Sequence, residues 1–149
     1  MSTDPQMRST VTSLLSRQLF AVLSTYGEEG LHSVIVSFVA DDSGEHIVFS
    51  TPRKTRKYRN MKHSSRVSMF FDNRSSDIAD LYRITALQAV GDVSELQQYA
   101  IESWRSIYLL KYPELSEFAC SPENALMLMT VERFEIVTHF QGVSTLTFR

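Results

Sequence analysis

The residues best equipped for chemistry sit in one short run, Ser50-Thr51-Pro52-Arg53-Lys54-Thr55-Arg56-Lys57-Tyr58-Arg59-Asn60. Two hydroxyls close an apolar stretch, a proline breaks it, and Thr55 is placed to cap a helix that opens on Arg56 and Lys57. Cations are electrostatically wrong at a helix N-terminus, which already carries partial positive charge. A bound anion reverses that sign. Free backbone N–H groups, threonine hydroxyls and Arg or Lys side chains together make a phosphate site. Two other readings stay open on the residues alone. One is a solvated basic face. The other is nucleic-acid binding, with Tyr58 stacking and the lysines pairing phosphates.

The charge balance singles out the same run. Seven of the 15 basic residues lie between Arg53 and Arg66 with no acid among them, while the rest of the chain sets eight basic against 17 acidic residues. The net charge of -2 weighs against nucleic acid as the partner. Other chemistry is poorly provided for. His32, His46, His63 and His139 share no metal-ligand spacing with one another or with Cys120, so no metal site is expected. Cys120 has no basic neighbour in sequence to lower its pKa. Gly-x-Ser-x-Gly, Gly-x-Gly-x-x-Gly and Walker patterns are missing. A single cysteine, a polar Met1–Gln6 and no apolar run near ~18 residues imply a cytoplasmic chain without a membrane span.

The elements that position these residues follow from pattern and punctuation. The length of 149 residues and 43% hydrophobic content suit one globular domain, 1–149. Asp4-Pro5 starts a helix to about Arg17. Strands are expected over 19–26, 31–40 and 46–51, joined by polar turns. A short helix follows Thr55 to about Lys62, then a strand over 66–72 and a polar connection over 73–81. A long strand over 82–96 contains Gly91, where a bulge or bend is expected. Ile101, Trp104, Ile107 and Tyr108 mark a helix over 97–111, which Pro113 stops. Strand returns over 125–140, broken near Glu132, and again over 143–148. This is an α+β chain, a mostly antiparallel six- to seven-stranded barrel with flanking helices. The second strand has two unlike faces. Val34, Val36 and Phe38 point to a core, while Leu31, Ser33, Ile35, Ser37 and Val39 make an apolar face interrupted by two hydroxyls. The second face suits a subunit interface, a ligand seat, or a sheet covered by the chain's own helix.

The order of these segments resembles the FMN-binding split barrel of the pyridoxamine 5′-phosphate oxidase-like superfamily. The resemblance runs from Leu14 to about Leu96. It is carried by the opening helix, Phe20-Ala21-Val22-Leu23-Ser24-Thr25, Ser33-Val34-Ile35-Val36-Ser37, Val48-Phe49-Ser50-Thr51, Thr55-Arg56-Lys57-Tyr58-Arg59-Asn60 and Ser65-Arg66-Val67-Ser68-Met69-Phe70. It implies an FMN-dependent oxidoreductase in which Thr55, Arg56 and Lys57 clamp the flavin phosphate. Ser50 and Thr51 would lie near the ribityl phosphate, and Ser33, Val34, Ile35, Val36 and Ser37 would run beside the flavin. It further implies a homodimer with flavin at the interface. The partner copy would contribute from later strands, with Gln88, His139 and Phe140 as candidates, and a small-molecule electron donor or acceptor would be the substrate. The sequence also departs from the oxidase proper. Ser33 and Phe38 stand where that enzyme has an arginine and a lysine, and the Phe140–Arg149 end has neither its tryptophan nor its Arg-x-His arrangement. An oxidoreductase of another specificity is therefore implied. The alternative is a non-catalytic split barrel binding flavin, deazaflavin or haem, and the minor one is nucleic-acid binding through the basic helix 53–66.

Overall fold

The computed structural model describes residues 4–139 and 142–148. Helix α1 (Pro5–Arg17) starts where Asp4 accepts a hydrogen bond from the Gln6 N–H, with Pro5 at its first position. The strands are β1 (Phe20–Gly27), β2 (Gly30–Ser37), β3 (Val39–Ala40), β4 (His46–Pro52), β5 (Arg66–Asp72), β6 (Thr85–Glu95), β7 (Asn124–Thr138) and β8 (Gly142–Thr147). The remaining helices are α2 (Arg56–His63), α3 (Asp80–Arg83), α4 (Gln98–Lys111) and α5 (Ser116–Cys120). All strand pairs are antiparallel. The sheet runs β2-β1-β5-β6-β7-β4-β3, and β8 pairs with β7. Apart from the two-residue β3, this is the seven-stranded sheet expected, curled as a split barrel.

The curl closes round α1. Val11, Leu14 and Leu15 plug a core that includes Leu23, Phe49, Met69, Phe71, Ala89 and Phe134. The register shows why the pattern produces it. Val34, Leu23, Met69, Ala89, Phe134 and Leu146 are successive partners across six strands, all facing inward. Gly91 sits where the β6–β7 register shifts. A Cβ there would lie 2.1 Å from the Thr130 carbonyl oxygen, so the close backbone approach demands glycine. The expected break near Glu132 is the other side of this irregularity. β7 is one strand, and its register with β6 skips from Val131 to Arg133.

The continuous strand expected over 31–40 is interrupted at Phe38. The Tyr112 hydroxyl accepts from the Phe38 N–H at 3.0 Å and has the Phe38 and Leu19 carbonyls at 2.6 and 2.7 Å for its one proton. Burial pushes this phenol up to about 12. With Phe38 tied to a side chain, alternation ends. Val39 joins β3 and is buried with Val48, Leu126, Tyr108 and Tyr112 in a second cluster beneath α4, instead of continuing the exposed face of β2. A short helix, α3, straddles the end of the polar connection expected over 73–81 and the start of the strand expected over 82–96, so Tyr82 and Arg83 are helical and β6 begins only at Thr85.

Lys111 ends α4 over this junction. Its Nζ donates to the Leu15 carbonyl at 3.2 Å and lies 4.0 Å from the Phe38 ring centroid. No carboxylate pairs with it among the described residues, and burial lowers its pKa to about 8. Above that value, up to its unfolded one, the unfolded chain holds a proton that the folded chain has released, so stability rises with pH in this window. The Tm of the wild type relative to Lys111→Met is therefore expected to climb between about pH 8 and about pH 10. Thermal melts across that range check this, and a constant difference contradicts it.

Candidate functional site

The split in the barrel lies between β2 and β4. β2 pairs only with β1, and β4 pairs with β7 and the short β3. The two strands come close without a ladder between them. One edge of β2 therefore presents backbone N–H and C=O groups with no strand partner among the described residues. Helix α2 starts just beyond β4 and packs on β1, spanning one end of this seam.

The hydroxyl residues gather there as the spacing predicted. Thr51 is fully buried and Ser50 nearly so. The Thr51 and Thr55 hydroxyls are 3.2 Å apart. Thr55 caps α2, its Oγ1 accepting from the Tyr58 N–H at 3.4 Å and donating to the Pro52 carbonyl at 2.8 Å. Ser50 accepts from Asn124 Nδ2 at 3.3 Å. The first turn of α2 has no acid and carries Arg56 and Lys57.

The seven cations separate by partner. Arg53 and Lys62 pair with Glu95, Arg66 pairs with Asp92 and Glu132, and Arg56 pairs with Glu29 at 3.5 Å. Burial pushes Glu95 up, but hydrogen bonds from Arg53 and Tyr58 and the nearby charges outweigh it, and the carboxyl lies below its ordinary value. Lys54, Lys57 and Arg59 have no acidic partner among the described residues. Lys54 and Arg59 are exposed, whereas Lys57 is half-buried, and burial alone lowers its pKa. Lys57 is thus a partly desolvated cation without a counter-charge. Arg56 is turned towards the β1–β2 turn, where its guanidinium also reaches the Glu29 carbonyl at 3.4 Å. Its Nε is buried without a hydrogen-bond acceptor.

The other expected site residues are dispersed. Ser33 and Ile35 are exposed on the outer face of β2, with the Ser33 hydroxyl 2.9 Å from that of Ser24. Val36 and, partly, Val34 turn into the core, leaving only backbone to a ligand on the outer side. Ser37 meets the buried Tyr108 hydroxyl of α4 at 2.6 Å. Two of the readings for this face therefore divide it. The chain's own helix covers the Ser37 end, and Leu31 to Ile35 stays open. Gln88 is exposed on the same face, in the rung Ile35–Val22–Phe70–Gln88. It lies three strand spacings, about 14 Å, from Ile35. His139 follows β7 at φ 52, in the left-handed region, and its N–H donates to the Ile84 carbonyl. It is at the far end of the sheet from α2. Phe140 lies outside the described residues. Among the described residues no cluster of His, Cys, Asp or Glu could hold a metal ion, and no helix is long and apolar enough to cross a membrane.

Sequence reasoning missed Asn60 as the residue that seats α2. It is buried, and its Nδ2 donates to the buried Thr25 hydroxyl at 3.0 Å. Its Oδ1 lies 2.0 Å from where a Cβ on Gly27 would be. A polar residue on the core side of a basic helix was the available signal.

A curled antiparallel sheet plugged by a helix, with a basic capped turn across its open seam, defines a split barrel. The chain belongs to the pyridoxamine 5′-phosphate oxidase family, which it matches over residues 7–138. No curated protein sequence matches it. Solved structures share the fold at low identity. A haem-binding protein from Mycobacterium smegmatis is 14% identical with a TM-score of 0.85, covering 98% of this chain and 60% of its own. This chain thus spans less than two thirds of that protein. General Stress Protein 26 from Bacillus anthracis is 16% identical with a TM-score of 0.72, over 96% and 99% of the two chains. An FAD-binding protein from Mesorhizobium loti is 13% identical with a TM-score of 0.70, over 91% and 94%.

The seating of α2 is testable. Asn60→Ala leaves the Thr25 hydroxyl buried without its partner, and Gly27→Ala forces Asn60 aside. Each is expected to cost roughly 1–3 kcal/mol in urea denaturation. Unchanged midpoints would show that α2 is held by other contacts.

Proposed function

We propose that this chain is one FMN-binding split-barrel domain, that two copies share their flavins, and that the assembly is an oxidoreductase acting on a small-molecule electron donor or acceptor. The observation that carries the reading is the seam at α2. A half-buried, unpaired Lys57 stands beside a threonine-capped helix start with no acid in its first turn. That donor set suits a phosphate dianion and gives a counter-charge to a cation that otherwise lacks one. Arg56 joins it by exchanging the 3.5 Å ion pair between its Nε and the Glu29 carboxylate for one with the phosphate.

From this end, β2 runs seven residues from Leu31 to Ser37, about 20 Å of extended backbone. Its unpaired edge supplies donors and acceptors along a ribityl chain and the polar rim of a ring. When bound, the flavin supplies the redox chemistry, so the protein needs no acid–base pair. The chain's residues grip the phosphate, align the ring against β2 and exclude water. Leu31, at the α2 end of this face, is 79% exposed. An apolar surface of that kind suits cover by a second copy. The spacing of Gln88 from Ile35 fits a contribution to the flavin of the other copy, as His139 would make from the far end; Phe140, outside the described residues, stays a candidate on the resemblance alone.

A second reading is a haem binder without catalysis, favoured by the Mycobacterium smegmatis structure, whose description is haem-binding. One measurement separates the two. The purified protein, incubated with FMN and separately with haem, is expected to retain FMN with its two-banded visible spectrum and to develop no Soret band. Arg56→Ala with Lys57→Ala should weaken FMN binding roughly 100-fold, the loss of two charge-assisted contacts. Retention of flavin by that variant refutes the phosphate assignment.

A further inference from the structure

At the other end of β2 from α2, the sheet's outer face forms the floor of a cavity of about 420 Å³ beneath the end of α1. The floor is apolar and belongs to one patch. Ile35, Val22 and Phe70 are register partners on three adjacent strands, and Phe20 lies two residues along β1 from Val22 on the same face. These side chains are unusually open for their size: Phe20 is 60% exposed and Phe70 41%. Isolated exposed apolar residues are ordinary, but a contiguous group lining a concavity marks a binding surface.

The rim adds charge. Arg74 is taken up by Asp72, with Nη2 at 2.8 Å from one carboxylate oxygen and Nε at 2.9 Å from the other. Arg17, the last residue of α1, has neither an ion pair nor a side-chain hydrogen bond among the described residues. The lining therefore presents one uncompensated positive charge above an aromatic and aliphatic floor. Arginine suits this position because its planar guanidinium binds carboxylate, sulfonate or phosphate through paired N–H groups.

We infer that this cavity binds a small apolar ring compound carrying one anionic group, with Arg17 as its counter-charge and Phe20, Ile35 and Phe70 as the surface on which the ring lies. That the occupant is the substrate exchanging electrons with the flavin rests on the function proposed above, because a ring anchored by its phosphate at α2 would extend along β2 towards Ile35. That the cavity takes an apolar anion does not rest on it. The site is chemically distinct from the clamp: Lys57 and the hydroxyls are selective for phosphate, whereas Arg17 sits over apolar surface.

The probe is 1-anilinonaphthalene-8-sulfonate, titrated by fluorescence into the full chain, with neutral N-phenyl-1-naphthylamine as the uncharged control. Arg17→Gln alters an exposed residue at a helix end and should leave the fold and FMN affinity unchanged. It is expected to weaken the sulfonate roughly fivefold to tenfold, the scale of one exposed charge-assisted contact, and to leave the neutral probe unaffected. Equal sulfonate affinity in the two proteins overturns the proposal. So does probe binding that disappears as the protein self-associates, since the face is then only the contact between copies. If the sulfonate result holds but the protein binds no FMN, the cavity stands and the flavin reading alone fails.

Discussion

The hydroxyl of Tyr112 meets both backbone groups of Phe38, and the end of β2, with the passage of the chain to the opposite edge of the sheet, depends on that contact. A residue whose N–H and C=O are engaged by a side chain cannot serve a strand ladder. β2 therefore stops at Ser37, and the chain crosses to β3 at the other end of the sheet. β2 pairs with β1 alone, so its other edge faces β4 without a ladder, and α2 lies across one end of the opening. Tyr112 comes from α4, so a helix far along the sequence decides where an early strand ends.

The basic segment is best understood as a set of charges with different fates. Glu95 gathers Arg53, Lys62 and the Tyr58 hydroxyl, which fixes α2 against the end of β6. Arg66 binds Asp92 and Glu132 beside the Gly91 irregularity. These exposed pairs contribute little stability individually, but they occupy Arg53, Lys62 and Arg66, while Lys54 and Arg59 are exposed to solvent. What remains is concentrated at the first turn of α2, where burial of Lys57 and the capping threonines coincide. Asn60 ties the helix to Thr25, and its side chain fills the space a side chain at Gly27 would need.

Much of the fold was legible from pattern. Strand β5 falls where alternation placed it, α2 starts after Thr55, and the inward row from Val34 to Leu146 is the apolar half of each strand's alternation. The grouping at the start of α2 was legible because Ser50, Thr51, Thr55, Arg56 and Lys57 are neighbours in sequence. It was less so where residues meet only through strand pairing. The rung that sets Ile35, Val22, Phe70 and Gln88 side by side has no signature in sequence, since register depends on turn lengths and bulges elsewhere.

The sequence by itself determined the elements, the core face of each strand and the presence of a capped basic turn, because these depend on local propensity and on periodicity within a few residues. Tertiary structure decided which of the seven cations stay unpaired, that Lys57 alone of these is half-buried, where β2 ends, and that Arg17 overlooks an apolar floor. Each of those outcomes is set by groups distant in the chain: Glu95 and Glu132 for the cations, Tyr112 for the strand end, and three adjacent strands for the floor. Pair interactions between such groups act over a few ångströms in space and are independent of separation along the chain, so only folding brings them into effect.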